Sequence, residues 1–452
     1  MSKKNKQKRT RREKGKLAMK IILSIVLVIV LIITIFAVLN AISANASKNL
    51  AASFQPVENA EVILPQKDEN GTWTFTTDRE LKILQITDVH IGGGILSVKK
   101  DAMAINAVAS MVTVNKPDLV VVTGDIAYPV PFAAGTMNNK KAADIFATLM
   151  EHLGVSWIPM FGNHDTEVYS YYTREDMGDF YESEDLKHCL FRKGPSEIDG
   201  VGNSIIEVKN PEGIVTQSLC MIDSHSYTDD DKMGILWHYD NIHQNQIDWY
   251  KESTQAISQR NVARIEELYA DDAIAKETAL RQFGEVTSLV FFHIPTTEYK
   301  DAWNEYVANG YQNTENVNLH YGMVGEKGSV ISCPVEDDNM FEAMQSFGGQ
   351  KGIFCGHDHM NNYSLDYKGI RLTYGYSIDY LAYIGIAKVG SQRGCTIITL
   401  EQNGDFDCMC DNYYQSKYKM FSNREKEHVI MQDMTQHAQG EVVASDEMTT
   451  SY

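Results

Sequence analysis

Apolar residues run without a charged break over positions 21–39, interrupted only by Ser24 and Thr34, and then give way to short apolar runs separated by helical and turn-rich stretches. The first run is close to the ~20 residues that a helix needs to cross bilayer hydrocarbon, and it predicts a membrane span. The later runs are too short for helices and are bounded by glycines, the pattern of buried strands. Residues 82–87 carry Ile83, Leu84 and Ile86 and open into Asp88-Val89-His90-Ile91-Gly92-Gly93-Gly94. Residues 98–114 have helical spacing, and 118–123 form a second strand ending in Gly124-Asp125; strand, helix and strand at this distance predict a right-handed parallel unit. A helix over 140–153 and a strand over 155–161 follow, the strand ending in Gly162-Asn163-His164-Asp165. Paired strands are predicted over 202–208 and 217–223, a charged helical cover over 241–283, and buried strands over 289–292 and 353–355. The last two deliver His293 and Gly356-His357-Asp358-His359, and strands over 370–374 and 395–400 close the body.

The charge distribution sharpens the reading of the first run. Residues 1–20 hold ten Lys or Arg against Glu13 alone, whereas the other 31 basic and 59 acidic residues leave the remainder at −28. Basic residues before the span and few after it put the N-terminus in the cytoplasm and the bulk of the chain outside, as a single-pass protein of the cell membrane. The rival reading is a secreted protein cleaved near Ala46, because Ala44-Asn45-Ala46 has the small-x-small form of a signal-peptide site; the length of the apolar run favours the anchor. The organisation that follows is a basic segment over 1–20, an anchor over 21–39, a tether and edge strand over 40–77, a main domain over 78–421 and a polar tail over 422–452. An acidic body is unsuited to a nucleic-acid backbone, which calls for a basic face. Seven cysteines without zinc-type pairs read as buried small hydrophobes, with disulfide formation and oligomeric state left open.

Five apolar runs thus end in Asp88-x-His90, Gly124-Asp125, Gly162-Asn163-His164-Asp165, His293 and Gly356-His357-x-His359. One histidine at a strand end is ordinarily structural, but five strand ends carrying nitrogen and oxygen donors beside glycines point to a shared ion, since α/β sheets bind ligands beyond the carboxyl ends of their strands. A donor set without thiolate suits Zn, Mn, Fe, Co or Ni. Asp223, Ser224, His225, Tyr227, Glu298, Tyr299, Asn361, Asn362 and Arg393 are further polar candidates for the pocket.

In their order and their setting, ILQITDVH, PDLVVVTGD, MFGNHD, FFHIP and GHDH, these motifs resemble those of the calcineurin-like metallophosphoesterases, and within them the membrane-linked relatives of purple acid phosphatases, over residues 78–402. The resemblance implies an α/β fold, a four-layer α/β/β/α sandwich, preceded here by the transmembrane helix. It implies two divalent ions, Zn, Mn or Fe, with Asp88, His90 and His359 on the first, Asn163, His293 and His357 on the second, and Asp125 bridging. It makes His164 the group that stabilises or protonates the leaving oxygen, with Asp165 orienting it. The implied activity is hydrolysis of phosphate monoesters by attack of a metal-activated water or hydroxide. A phosphodiesterase or nucleotide-cleaving activity is the alternative, and a non-catalytic binding or sensing protein on the same fold is a further one. The sequence departs from the purple acid phosphatases in having His90 where they have glycine. Tyr128, at the spacing of their colour-giving tyrosine, is therefore expected to pack beside the site rather than bind a ferric ion.

Overall fold

The computed structural model describes residues 11–383, 386 and 393–418, so the polar tail over 422–452 and the first half of the basic segment lie outside the described residues. In chain order its helices are α1 (Arg11–Ala51), α2 (Val98–Asn115), α3 (Pro131–Ala134), α4 (Asn139–Leu153), α5 (Arg174–Tyr181), α6 (Gln244–Leu268), α7 (Ala273–Phe283), α8 (Thr297–Ala308) and α9 (Met340–Gln345). The strands are β1 (Gln66–Lys67), β2 (Trp73–Thr76), β3 (Leu81–Ile86), β4 (Leu119–Val122), β5 (Trp157–Pro159), β6 (Ser204–Lys209) and β7 (Val215–Met221). They continue with β8 (Thr287–Phe291), β9 (Val317–Tyr321), β10 (Lys351–Cys355), β11 (Ser364–Tyr367), β12 (Ile370–Tyr374), β13 (Gly394–Leu400) and β14 (Phe406–Asn412).

Two sheets form, ordered β14-β13-β3-β4-β5 and β1-β2-β6-β7-β8-β10-β12-β11-β9. The period-2 alternation of strand side chains explains how they stack. In β3 and β4, Leu81, Ile83, Leu119 and Val121 face the larger sheet and pack with Leu219, Leu289, Phe291 and Ile353. The alternate residues Leu84, Ile86, Val120 and Val122 pack against α2 and α4 through Ala104, Val108, Phe146 and Met150. On the far face of the larger sheet, Tyr250 of α6 and Tyr299 and Trp303 of α8 complete the core. The layers are therefore α/β/β/α.

β3, β4 and β5 are mutually parallel, as are β7, β8, β10 and β12. Their carboxyl ends converge at one edge, where buried Gln85 donates to Cys355 O at 3.0 Å and Thr87 bridges Ser377. This is the edge to which the five motifs are delivered.

The expectation of a tether after the anchor is corrected by the structure. α1 continues unbroken through Asn40 to Ala51, and its last turns pack on α2 and α4 with Ala44, Ser47 and Ala51 buried. The stretch AISANAS is rich in small residues, and small side chains let two helices approach closely, so the composition that suggests a linker serves helix packing instead. Lys48 pairs with Asp144 at 2.6 Å, and Asn40 donates to Gly135 O at 2.7 Å and accepts from Ile95 N at 2.8 Å. The residues of the apolar run before Asn40 are exposed on the isolated chain. If α1 is docked in this way, Ala44→Glu must bury a carboxylate, and the full chain in detergent should lose about 2 kcal/mol or more of unfolding free energy by denaturant titration. A tether would tolerate the change.

Candidate metal centre

Four of the residues at the converging strand ends hold their side chains by adopting left-handed backbone: Asp88 at φ 50°, His90 at φ 52°, Asp125 at φ 53° and His357 at φ 77°. Non-glycine residues pay conformational energy for this, and such positions cluster at functional sites. Two glycines answer close approaches rather than turns alone. A Cβ on Gly124 would strike the His293 ring, and one on Gly162 would strike the Asp125 carboxylate.

The donors so aimed come together in a buried cluster. One ligand atom each from Asp88, His90, Asp125 and His359 lies within 4.8 Å of the others. Nε2 of His90 and Nε2 of His293 are 3.2 and 3.3 Å from the same Asp125 oxygen, Oδ2, so that oxygen faces both halves of the cluster. His359 Nε2 is 3.4 Å from Asp88 Oδ1. In the second half, Asn163 Oδ1 is 3.1 Å from His293 Nε2 and 3.0 Å from His357 Nδ1. All seven residues named from the sequence as ligands therefore converge.

The chemistry of this set fits two cations. The donors are carboxylate, imidazole and amide oxygen, and Asp88 Oδ1 is buried with no hydrogen-bond partner among the described residues. Buried polar atoms are normally paired, and an ion supplies the missing partner. The outer ring nitrogens are anchored as metal-ligating histidines require. His293 Nδ1 donates to Thr123 O at 2.8 Å. Nδ1 of His90 and Nδ1 of His359 lie 3.2 and 3.3 Å from the two oxygens of Asp379, near enough for charge pairing though off the hydrogen-bond line.

The electrostatics of the ion-free chain follow from burial and these neighbours. Burial alone would lower the His90 and His293 pKa values. Asp379 and Asp125 around His90, and Asp125 and Asp88 around His293, raise each to about 9. Burial would raise Asp125, yet the surrounding imidazoles hold it well below the usual carboxylate range. His357, buried and next to His293, is pushed down.

His164 stands at the mouth, a quarter exposed, with its backbone N–H donated to Asp125 Oδ1 at 2.8 Å. Its Nδ1 is 2.7 Å from Glu167 Oε1. The expectation that Asp165 orients it is corrected here: Asp165 spends its oxygens on the backbone N–H groups of Asp125, Ala127 and Gly162, tying two motif loops together. Tyr128 stacks on His90 with ring centroids 4.8 Å apart and meets His164 edge-on. In the ion-free chain, burial and the Asp379 and Asp125 charges raise its phenol to about 12.

Sequence reasoning missed Asp379, Glu167 and Tyr239. The signal for Asp379 was an acid just past the strand at 370–374, the same construction as the other motifs. Arg393 holds it in place by donating to Asp379 O at 2.9 Å while its guanidinium lies over Tyr380. Tyr227 reaches the cluster, its hydroxyl accepting from Asn163 Nδ2 at 2.7 Å, and Tyr239 meets His357 edge-on. The other weaker candidates support the scaffold. Asp223 pairs with Arg174, Ser224 accepts the His293 and Ile294 amides, and His225 pairs with Gln246. Tyr299 bonds carbonyls of β10 and β12, Asn361 and Asn362 bond the 323–326 loop, and Glu298 sits in a separate acidic group with Asp337 and Glu342.

The chain has similar proteins among those already known. Two curated proteins of Arabidopsis thaliana are similar to the chain. One, named probable inactive purple acid phosphatase 14, is 28% identical over 72% of this chain and 76% of its own length. The other, probable inactive purple acid phosphatase 29, is 25% identical over 75% and 82%. Among solved structures, a dimetal phosphatase from Danio rerio overlaps 74% of this chain and all of its own at 10% identity and a TM-score of 0.43. The family model described as calcineurin-like phosphoesterase matches residues 81–361, which span all five motifs. The chain belongs to the calcineurin-like phosphoesterase family.

Proposed function

We propose that this protein is a membrane-anchored, dinuclear metal-dependent phosphoesterase that hydrolyses phosphate monoesters. The observation that carries the reading is the largely buried cluster of two carboxylates, four imidazoles and one amide, in which one Asp125 oxygen faces both halves. Asp88, His90 and His359 would hold the first ion and Asn163, His293 and His357 the second, with Asp125 shared. Two divalent ions bound there supply Lewis-acid charge for the phosphoryl oxygens and lower the pKa of an attacking water. The chain's own part is orientation and proton handling. Asp379 fixes the rings of His90 and His359, Thr123 O fixes that of His293, and Glu167 fixes His164. With Nδ1 of His164 engaged by Glu167, its Nε2 is the atom left to hold a proton for the departing oxygen.

A second reading, a binding protein without turnover, takes support from the printed names of the relatives, which call those proteins inactive. Against it, every donor position is filled here and the ring-orienting carboxylates are present. The anchor reading is supported by the docked end of α1, since cleavage near Ala46 would cut a helix whose Ala44 and Ser47 are buried against the body. The charge asymmetry favours an extracytoplasmic catalytic domain.

Metal analysis coupled to a phosphate-release panel of monoesters, diesters and nucleotides tests the whole reading. Asp125→Ala should abolish turnover and deplete both ions; full metal content with normal release would remove the dinuclear assignment. His164→Ala should keep both ions and lower turnover on poor leaving groups by roughly 100-fold, and Glu167→Gln should follow it in direction while Asp165→Asn mainly destabilises the fold. An equal small loss on good and poor leaving groups in His164→Ala would reduce His164 to loop support.

Asp379→Asn should weaken metal uptake by roughly 10- to 100-fold, the usual scale for a carboxylate behind a ligating histidine, measured by chelator competition. Uptake is also expected to depend on pH in a stated direction. Ligation needs neutral imidazoles, and those of His90 and His293 are protonated below about 9 in the ion-free chain. Binding at pH 7 should therefore release protons and tighten as pH rises toward 9. Calorimetry in buffers of different ionisation enthalpy reads the protons directly, and a release of none would contradict this account of the charges.

A further inference from the structure

α1 runs beside α4, and the contacts along it fix its direction. At its entry to the body, Asn40 is bonded to Ile95 and Gly135, which precede the N-termini of α2 and α4. Beyond its end, Val57 N donates to Leu153 O at 2.8 Å and Asn59 to Lys116 O at 3.4 Å, at the C-termini of α4 and α2. α1 is therefore parallel to both helices. β3 and β4 lead into these helices from their carboxyl ends, so Asn40 lies at the edge of the sheets that carries the metal donors, and Ala51 lies toward the opposite edge. The apolar run stops at Leu39, one residue before the first body contact. Five residues separate His90 from Ile95, and at ~3.3–3.6 Å per residue the cluster lies within about 18 Å of the point where the span leaves the body.

Several large apolar side chains are exposed on this edge, beside the charged Asp229, Asp230 and Lys232. Phe132, in α3 just before the Gly135 that Asn40 holds, is 96% exposed, Leu96, next to Ile95, is 53% exposed, and Val168 and Tyr171 are exposed just after the Asn163 motif. On the other side of the mouth, the loop that follows β7 turns around Asp231, whose carboxylate accepts the backbone N–H groups of Ile235, Leu236 and His238. That turn holds Ile235 and Trp237 outward at 73% and 74% exposure. The loop is fastened to the cluster by Tyr227 on Asn163 and Tyr239 on His357. Outward-facing apolar groups grouped around one mouth mark an interaction surface, and tryptophan is enriched where protein meets the bilayer interface.

We infer that the catalytic edge lies against the bilayer and that the substrate is a phosphoester borne by a membrane lipid, presented headgroup first to the cluster. This rests on the phosphoesterase reading and on α1 as an uncleaved span. With no loop between span and body, the helix dictates the orientation. Phe132, Leu96, Ile235 and Trp237 then seat in the headgroup region.

The test uses the full-length, metal-loaded protein in phosphatidylcholine vesicles. Phosphatidic acid and phosphatidylglycerol are compared with their deacylated, water-soluble counterparts, glycerol 3-phosphate and glycerophosphoglycerol. A lipid ester should be preferred by about 10-fold or more in kcat/KM, equivalent to ~1.4 kcal/mol. Phe132→Ser and Trp237→Ser, which touch no donor, should lower lipid turnover and leave that of p-nitrophenyl phosphate unchanged. Independently of activity, the Trp237 fluorescence, taken as wild type minus Trp237→Phe, should be quenched by brominated phosphatidylcholine. Equal or better turnover of the deacylated esters would overturn the substrate assignment alone, and an unquenched Trp237 would overturn the orientation. Absence of turnover on every ester would refute the phosphoesterase reading and this substrate with it.

Discussion

Asp125 has no exposure to solvent, and around it two further carboxylates, Asp88 and Asp379, are buried with His90, His293 and His359 beside the half-buried His357, at the edge where the strands of both sheets end. Charges so far from water must find compensation inside the protein. In the ion-free chain the carboxylates and imidazoles compensate one another, which is why Asp125 is pushed down and His90 and His293 are pushed up. Cations bound there would displace these protons, which would offset part of the charge they bring. Much of the surrounding architecture serves to keep it closed: left-handed backbone at four donor residues, Gly124 and Gly162 allowing close approach, and Asp165 binding three amides across two loops.

The parallel strands explain why the cluster can be assembled from positions so far apart in the chain. Each strand end is a fixed point, set by hydrophobic alternation on both faces and by hydrogen bonds to neighbours. Asp88 and His357 are 269 residues apart, yet the His357 amide donates to Asp88 Oδ2 at 3.1 Å because β3 and β10 end at the same level of two stacked sheets. Gln85, buried between those strands, supplies a polar tie where a purely apolar contact would leave their relative height unspecified.

What was legible in the sequence was what local pattern dictates. The strands that deliver donors are continuous apolar runs because they are buried on both faces, and they were found within a residue or two. β9 and β14 were not, since VNLHY and FDCMCDN mix polar groups into strands with one exposed face, and register rather than hydropathy holds them in the sheet. The seven donors were named from the motifs and the family resemblance they carry, but the groups behind them were harder. Glu167 was passed over for the adjacent Asp165, because adjacency says nothing about direction: Asp165 turns inward to backbone amides while Glu167, three residues on, faces the imidazole. Asp379 lies outside any motif and acts only through the fold. The docked end of α1 was hidden for a different reason, since alanine and serine read as linker when nothing is known of the partner surface.

The central claim is that this cluster holds two ions with Asp125 between them. Anomalous diffraction from crystals of the metal-loaded chain measures that directly. The account predicts two peaks roughly 3.5 to 4 Å apart, the separation of two-metal hydrolases, one beside Asp88, His90 and His359 and the other beside Asn163, His293 and His357, with Asp125 in contact with both. A single peak at full loading, or two peaks that do not share Asp125, would contradict it.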